Sequence, residues 1–240
     1  MLNICACFFI IILGSNYTST AQGLSGGAAG ARAANPDFPQ LLEWAVQEKD
    51  LNYEIEGSPY IMESWTNATI LFKSNEIIEN IPVKYDLKEN LMEIKTKKTI
   101  KVCPPERIIA FELNDSANGE VRAFVNCNQF KVEYSLVGFY EVLVDEEDGF
   151  MLLKKTEASI KESNYNPALD VGEMTAKIIK RDAFYIAKNK TAYSIPKRKK
   201  AFLKLFGKKS ALIGDFVKRE KSKLNDQEDL IKIIAYCNSI

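Results

Sequence analysis

Between residues 51 and 195, short apolar runs alternate with polar turn residues, which is the pattern of β-strands. Runs rich in Ile, Val, Leu and Phe occupy residues 69–72, 77–85, 91–94 and 108–113. Asn, Ser, Lys and Glu separate them, and bounded runs of this kind are typical of strands. Strands at this spacing with short connections favour antiparallel pairing over βαβ units. We therefore predict an antiparallel meander, barrel or sandwich.

Three turns within this region predict β-hairpins. Asn118 and Gly119, which tolerate positive φ, lie between the run at 108–113 and a run at 121–125. Two further turns, at 145–149 and 188–191, join neighbouring apolar runs, namely 139–144 to 150–153 and 184–187 to 192–195.

After Ile195 the apolar residues recur at helical spacing. Pro196 suits the first turn of a helix, because its missing N–H is not needed there. Gly207 is placed to end that helix. The apolar face of this first helix is formed by Phe202, Leu205 and Phe206, and a second helix carries Leu212, Ile213, Phe216 and Val217.

The third predicted helix has the clearest start signal. Asn225 is placed as N-cap, and Glu228, three residues later, completes a capping box. The apolar stripe that follows consists of Leu230, Ile233, Ile234 and Cys237.

These patterns predict an α+β fold. An antiparallel β-rich domain, as a meander, barrel or sandwich, spans residues 51–195, and a helical subdomain spans 196–240. Residues 36–50 predict a short helical lead-in. Residues 22–35 are Gly/Ala-rich and predict a flexible linker.

The N-terminal residues 1–21 predict a secretory signal peptide. They contain no Asp, Glu, Lys or Arg, and an apolar run from Ile4 to Leu13 is followed by small residues ending at Ala21. The run is shorter than the ~20 residues that a membrane span needs. We therefore expect cleavage, an extracytoplasmic (periplasmic or secreted) protein and no transmembrane span in the mature chain. An uncleaved anchor is the alternative.

Histidine is missing from the whole chain. This excludes Ser-His-Asp and Cys-His catalysis, and it removes the commonest ligand for zinc. We predict no metal site and no cofactor. Cys103, Cys127 and Cys237 remain after signal cleavage. They predict either a Cys103–Cys127 disulfide or three buried free thiols, and we favour the thiols.

A zero net charge hides a strongly basic segment. Residues 177–223 carry 16 lysines and arginines against three acids. Such a cluster favours an anionic ligand or envelope partner, or else a solvated helix face that complements the acidic β domain. Specific nucleic-acid binding is not expected. The candidate binding residues are Lys197, Arg198, Lys199, Lys200, Lys204, Lys208 and Lys209.

Several segments resemble a family of uncharacterised secreted β-rich proteins of Bacteroidota. They are 57–60 (GSPY), 81–86 (IPVKYD), 138–144 (GFYEVLV) with 152–155 (LLKK), and the helical tail at 202–240. The resemblance implies a β-rich exported protein and brings no catalytic residue with it.

We predict a non-enzymatic binding or scaffold protein of the cell envelope, with its oligomeric state left open. One alternative is an amphiphile carrier, which needs a continuous apolar cavity. Another is a histidine-free glycan hydrolase using paired carboxylates. Its candidate carboxylates are Glu63, Glu79, Glu93, Glu112 and Glu141.

Overall fold

The computed structural model describes residues 55–115, 119–162, 169, 171–172 and 175–240. The predicted signal, linker and helical lead-in therefore lie outside the described residues, as does Asn118. The strands are β1 (Thr66–Phe72), β2 (Ile77–Asp86), β3 (Leu91–Lys95), β4 (Ile100–Cys103), β5 (Ile108–Asp115), β6 (Glu120–Asn126), β7 (Phe139–Val144), β8 (Met151–Lys161), β9 (Lys177–Lys188) and β10 (Thr191–Ser194). The helices are α1 (Lys199–Lys204), α2 (Ser210–Arg219) and α3 (Gln227–Ser239).

All ten strands form one antiparallel sheet. Their order is β10-β9-β8-β7-β6-β5-β1-β2-β3-β4. Two meanders, β1 to β4 and β5 to β10, are therefore joined side by side through β1 and β5. The predicted α+β class, an antiparallel β region followed by helices, is confirmed, and the sheet is open.

The predicted hairpins are β5–β6, β7–β8 and β9–β10. In the last of these, Asn189 and Lys190 adopt φ values of 50° and 59°, as a two-residue hairpin turn requires. β8 and β9 are longer than their apolar runs predict, because they remain paired as far as Lys161 and Lys177. Polar residues continue these strands where the sheet lies partly in solvent.

The sheet is strongly curved. Tyr85 on β2 contacts Phe139 on β7, with ring centroids 5.2 Å apart. These strands are four positions apart in the sheet, which corresponds to about 19 Å if the sheet were flat. Phe111 on β5 contacts both rings. The β1–β4 half therefore folds over β5–β7 and encloses the largest apolar core.

The helices cover a second core on β7–β9. Phe202 and Phe206 pack with Phe150, Leu152 and Ile186 of the β region. The predicted apolar stripe of the third helix is confirmed, since all four of its members are fully buried, namely Leu230, Ile233, Ile234 and Cys237.

Two predicted helix starts are wrong, the first by about one turn and the third by one residue. The first helix begins at Lys199 with Arg198 as its N-cap, so Pro196 lies before the helix and not in its first turn. The third helix has Asp226 as its N-cap, whose carboxylate accepts a hydrogen bond from the Asp229 N–H at 3.1 Å. Asn225 was predicted there, but Asp226 is the residue with extended backbone angles and a capping side chain.

Cys103, Cys127 and Cys237 are free and buried. This confirms the thiol interpretation, and the alternative Cys103–Cys127 disulfide is wrong. Cys103 and Cys127 belong to different core clusters. Burial raises the pKa of each of these two thiols to about 12, so both stay protonated at neutral pH.

Within the described ranges, no helix has both the length and the apolarity needed to cross a membrane.

Candidate functional site

A groove of about 530 Å³ lies along the outer edge of β10. One wall is formed by residues 131–136 and the other by β10 with two residues of the helical region. This volume is in the range of small-molecule sites. The groove is lined by Lys131, Val132, Glu133, Tyr134, Leu136, Tyr185, Thr191, Ala192, Tyr193, Ser194, Pro196 and Leu205.

The groove begins where a short parallel bridge ends. The Lys131 N–H donates to the Lys190 carbonyl at 2.8 Å, and the Ala192 N–H donates to the Lys131 carbonyl at 2.9 Å. Beyond Lys131 the chain leaves β10 and turns toward β7, which begins at Phe139. The two segments therefore separate and leave an open channel between them.

Tyrosines dominate the polar chemistry of the walls. Tyr134 is 73% exposed and Tyr193 is 51% exposed, so both side chains are open to solvent. Tyr185 lies deeper and contacts the buried Tyr140, with ring centroids 5.0 Å apart. Burial raises the pKa of Tyr185 and of Tyr140, so both phenols stay neutral hydrogen-bonding groups at physiological pH. The Tyr140 hydroxyl is buried and has no hydrogen-bond partner among the described residues.

The predicted basic residues are close in sequence to two residues that line the groove. These two are Pro196 and Leu205, and each basic residue is next to one of them or a few positions away. Six side chains are exposed, namely those of Lys197, Arg198, Lys199, Lys200, Lys204 and Lys208. None of the six forms an ion pair with a residue that the structure describes.

Lys209 differs from the other basic residues. It is partly buried, and its Nζ donates a hydrogen bond to the Cys237 carbonyl at 2.9 Å. A cation at this position complements the negative C-terminal end of α3. Lys209 therefore stabilises helix packing, and the exposed basic set contains the other six residues.

The hydrolase candidates are dispersed. Glu63 and Glu79 are exposed. Glu141 lies in one cross-strand row with Phe124 and Phe111, whereas Glu112 pairs with Ala123 and projects from the opposite face. Glu112 and Glu141 therefore cannot flank one substrate.

Each buried carboxylate has its own environment. Glu141 accepts two hydrogen bonds from Arg122, at 2.7 and 2.9 Å, and lies 2.7 Å from the Lys154 ammonium. Glu93 accepts from the Tyr60 hydroxyl at 2.8 Å. Burial raises the pKa of Glu112, and its Oε1 has no partner among the described residues.

A buried lysine lies on β8 and is separate from the groove. Lys155 is only 2% exposed, and its ammonium forms no hydrogen bond or ion pair within the described part of the chain. A Cβ on Gly138 would lie 3.1 Å from the Lys155 Nζ and 2.4 Å from the Tyr85 hydroxyl. Gly138 also has a φ of +92°, which side chains disfavour. The backbone conformation and the lack of space for a Cβ atom therefore both require glycine at this position.

Sequence reasoning missed the groove. No motif marks the segment at 131–136. The available signal was the basic cluster after Pro196, but its nearness to the β10 edge depends on the fold. No group of three or more metal-ligating side chains occurs in the portion described.

Comparisons with known proteins add no relative. The chain matches no protein-family model, and neither the curated proteins nor the solved structures contain a match to it.

Proposed function

We propose that this protein is an extracytoplasmic, non-enzymatic binding protein whose groove holds an anionic ligand with an apolar or aromatic body. The observation that carries this proposal is the groove itself. Its walls are mainly apolar and aromatic, and two of its lining residues, Pro196 and Leu205, are followed or preceded along the chain by exposed cations that form no ion pair with a described residue. Apolar walls with a few placed polar groups are the usual composition of ligand sites.

The charge of the ligand follows from the residues beside the groove. Lys131 lies in the wall, and the six exposed basic residues lie within a few positions of Pro196 or Leu205 along the chain. Glu133 is the one acidic residue among the described residues that line the groove. Cations that carry no structural ion pair keep their charge available for a ligand.

A binding role is favoured over glycan hydrolysis by the positions of the carboxylates. Hydrolysis needs two carboxyl groups within about 5–10 Å across a cleft. Glu141 is neutralised by Arg122 and Lys154, and Glu112 projects from the other face of the sheet. Within the part of the chain that the structure describes, Glu133 is the single carboxylate of the groove lining.

The extracytoplasmic location is supported by the N-terminal sequence alone. It is tested by N-terminal sequencing of the protein recovered outside the cytoplasm. We expect a mature start at Gln22, and a start at Met1 would contradict the proposal.

Ligand binding is tested with 1-anilinonaphthalene-8-sulfonate, an anionic aromatic probe that fluoresces in apolar surroundings. We expect saturable binding by the wild type and a loss of about tenfold in affinity for Leu205→Asp, which places a carboxylate in the groove wall. Leu212→Asp is the matched control, because Leu212 is 52% exposed on α2 and does not line the groove. Equal affinities for both variants and the wild type would overturn the proposal.

The role of charge is tested by two variants that each lose four cations. One replaces Lys197, Arg198, Lys199 and Lys200 by Gln, and the other replaces Lys218, Arg219, Lys221 and Lys223, which do not adjoin the groove. We expect only the first variant to weaken binding and to reduce its salt dependence. The same effect in both would assign the attraction to net charge and contradict a local site.

A further inference from the structure

The edge of β10 points to the class of ligand. We propose that the groove binds a short, acidic, extended peptide that adds to β10 as a further strand. This inference rests on the proposed function, since it assigns a ligand to the same groove.

The hydrogen-bond pattern of β10 identifies a free backbone edge. The Ile195 N–H donates to the Phe184 carbonyl at 3.0 Å, toward β9, and the Ala192 N–H donates to Lys131, away from β9. Successive residues of a strand direct their amide groups to opposite sides. Ala192 and Ser194 therefore direct their peptide groups away from β9, toward the groove.

Most of these outward groups are unoccupied. Of the outward groups of Ala192 and Ser194, the Ala192 N–H alone is bonded within the described residues, and it donates to the Lys131 carbonyl. The Ala192 carbonyl and both peptide groups of Ser194 make no hydrogen bond with any residue in the described ranges. Unpaired strand edges of this kind are templates for an added strand.

The length of the free edge is limited at both ends. Lys131 occupies the edge beside Thr191 and Ala192, and Pro196 beyond Ser194 has no N–H to offer. Three backbone groups with strand spacing remain between them. A peptide matches this alternation of donor and acceptor, whereas an alkyl chain would leave the groups unpaired.

Charge selects the kind of peptide. In an extended ligand alternate side chains point to opposite sides. One set would meet the aromatic and aliphatic walls, including Tyr134 and Leu205. Acidic residues in the other set would lie near the exposed cations that follow Pro196. Glu133 disfavours acidic side chains at the opposite wall.

The test uses the synthetic peptide acetyl-Glu-Phe-Glu-Phe-Glu-amide, with its affinity measured by calorimetry and by displacement of the sulfonate dye. We expect it to displace the dye. Two copies of the peptide are N-methylated at alternate peptide bonds, one copy in each of the two registers. Each copy therefore lacks the N–H donors along one of its two edges. At least one copy should bind about tenfold more weakly.

Two variants of the protein test the same hydrogen bonds by changing β10 instead of the peptide. Ser194→Pro removes the outward N–H, and proline is tolerated at a sheet edge. Ser194→Ala keeps this N–H and is the control. We expect Ser194→Pro alone to lose about tenfold in peptide affinity. Circular dichroism and the melting temperature, compared with those of Ser194→Ala, show whether the proline variant folds, and the methylated peptides serve if it does not.

The outcomes separate this inference from the proposed function. Equal binding of the peptide and both methylated copies, or displacement of the dye by decyl phosphate but not by the peptide, would overturn the peptide assignment while the groove remains a ligand site. A dye affinity that is unchanged by Leu205→Asp would overturn the proposed function itself.

Discussion

Asn238 near the end of α3 makes two hydrogen bonds with the backbone of Phe150, the residue before β8. The Phe150 N–H donates to Asn238 Oδ1 at 2.9 Å, and Asn238 Nδ2 donates to the Phe150 carbonyl at 2.8 Å. Because the same amide both accepts and donates, it joins the helix to the sheet in one orientation. Phe150 itself packs on Phe206, with centroids 5.3 Å apart.

Replacing Asn238 by Asp should therefore destabilise the protein. A carboxylate can still accept from the Phe150 N–H, but it cannot donate to the carbonyl, which leaves two acceptors facing each other. We expect a loss of about 2 kcal/mol in the free energy of unfolding, measured by urea denaturation. Ser239→Ala, at an exposed neighbour whose hydroxyl donates to the Tyr236 carbonyl, is the control and should change little. Equal effects would contradict the docking role of Asn238.

The start of α3 gives a second prediction. Asp226→Ala removes the acceptor for the Asp229 N–H and should lower the free energy of unfolding by about 1 kcal/mol. Asn225→Ala should have little effect, although the sequence favours Asn225 as the cap. Denaturation of both variants in parallel decides the position, and a larger loss for Asn225→Ala would place the cap one residue earlier.

The ion pair of Arg122 and Glu141 predicts acid sensitivity. Burial alone would raise the pKa of Glu141, but the hydrogen bonds and charges of Arg122 and Lys154 outweigh it and hold the pKa below its usual 4.5. The folded state therefore binds this proton more weakly than the unfolded state. The stabilisation is fully present above about pH 4.5 and is lost as the pH falls through the lowered value.

Unfolding of the wild type and of Glu141→Gln across pH 3 to 7 measures this effect. We expect the wild type to be more stable at pH 7 by about 2–3 kcal/mol, because the variant leaves two cations without their carboxylate. The difference should shrink below about pH 4.5. A difference that is constant with pH would show that the Glu141 charge does not stabilise the fold.

The buried ammonium of Lys155 predicts the opposite behaviour. Burial lowers the pKa of Lys155 below its usual 10.5, and the negative charge of the nearby Glu157 offsets this only in part. Between the lowered pKa of the folded state and 10.5, the unfolded state binds more protons at Lys155 than the folded state does. The free energy of unfolding therefore rises with pH in that window. At pH values below the lowered pKa, the charged amine destabilises the fold by a constant amount.

Lys155→Met should therefore stabilise the protein at pH 7, by about 1 kcal/mol or more, and the gain should decrease by pH 10. Thermal unfolding at the two pH values measures it. Lys154→Met is the matched control from the adjacent position, and it should be destabilising, because Lys154 pairs with Glu141 at 2.7 Å and with Gln227 at 3.1 Å. If Lys155→Met is destabilising at pH 7, the amine has a stabilising contact that outweighs its burial.

Local sequence patterns determined the elements of this protein. The apolar runs predict most of the strands and all three hairpins, because alternate residues of each strand face a core and the turns contain residues suited to positive φ. The stripe from Leu230 to Cys237 predicts α3, since residues three and four apart share one face of a helix. Burial of the free thiols also follows from their apolar surroundings.

Only the tertiary structure decided how these elements meet. The contact of Tyr85 with Phe139 depends on a curvature summed over four strand spacings, which no local pattern encodes. In the same way, the groove exists because the chain beyond Lys131 departs from β10 while Pro196 and Leu205 return beside it. Residues far apart in the chain become neighbours through the packing of whole elements, so the basic cluster could be found in the sequence but the groove beside it could not.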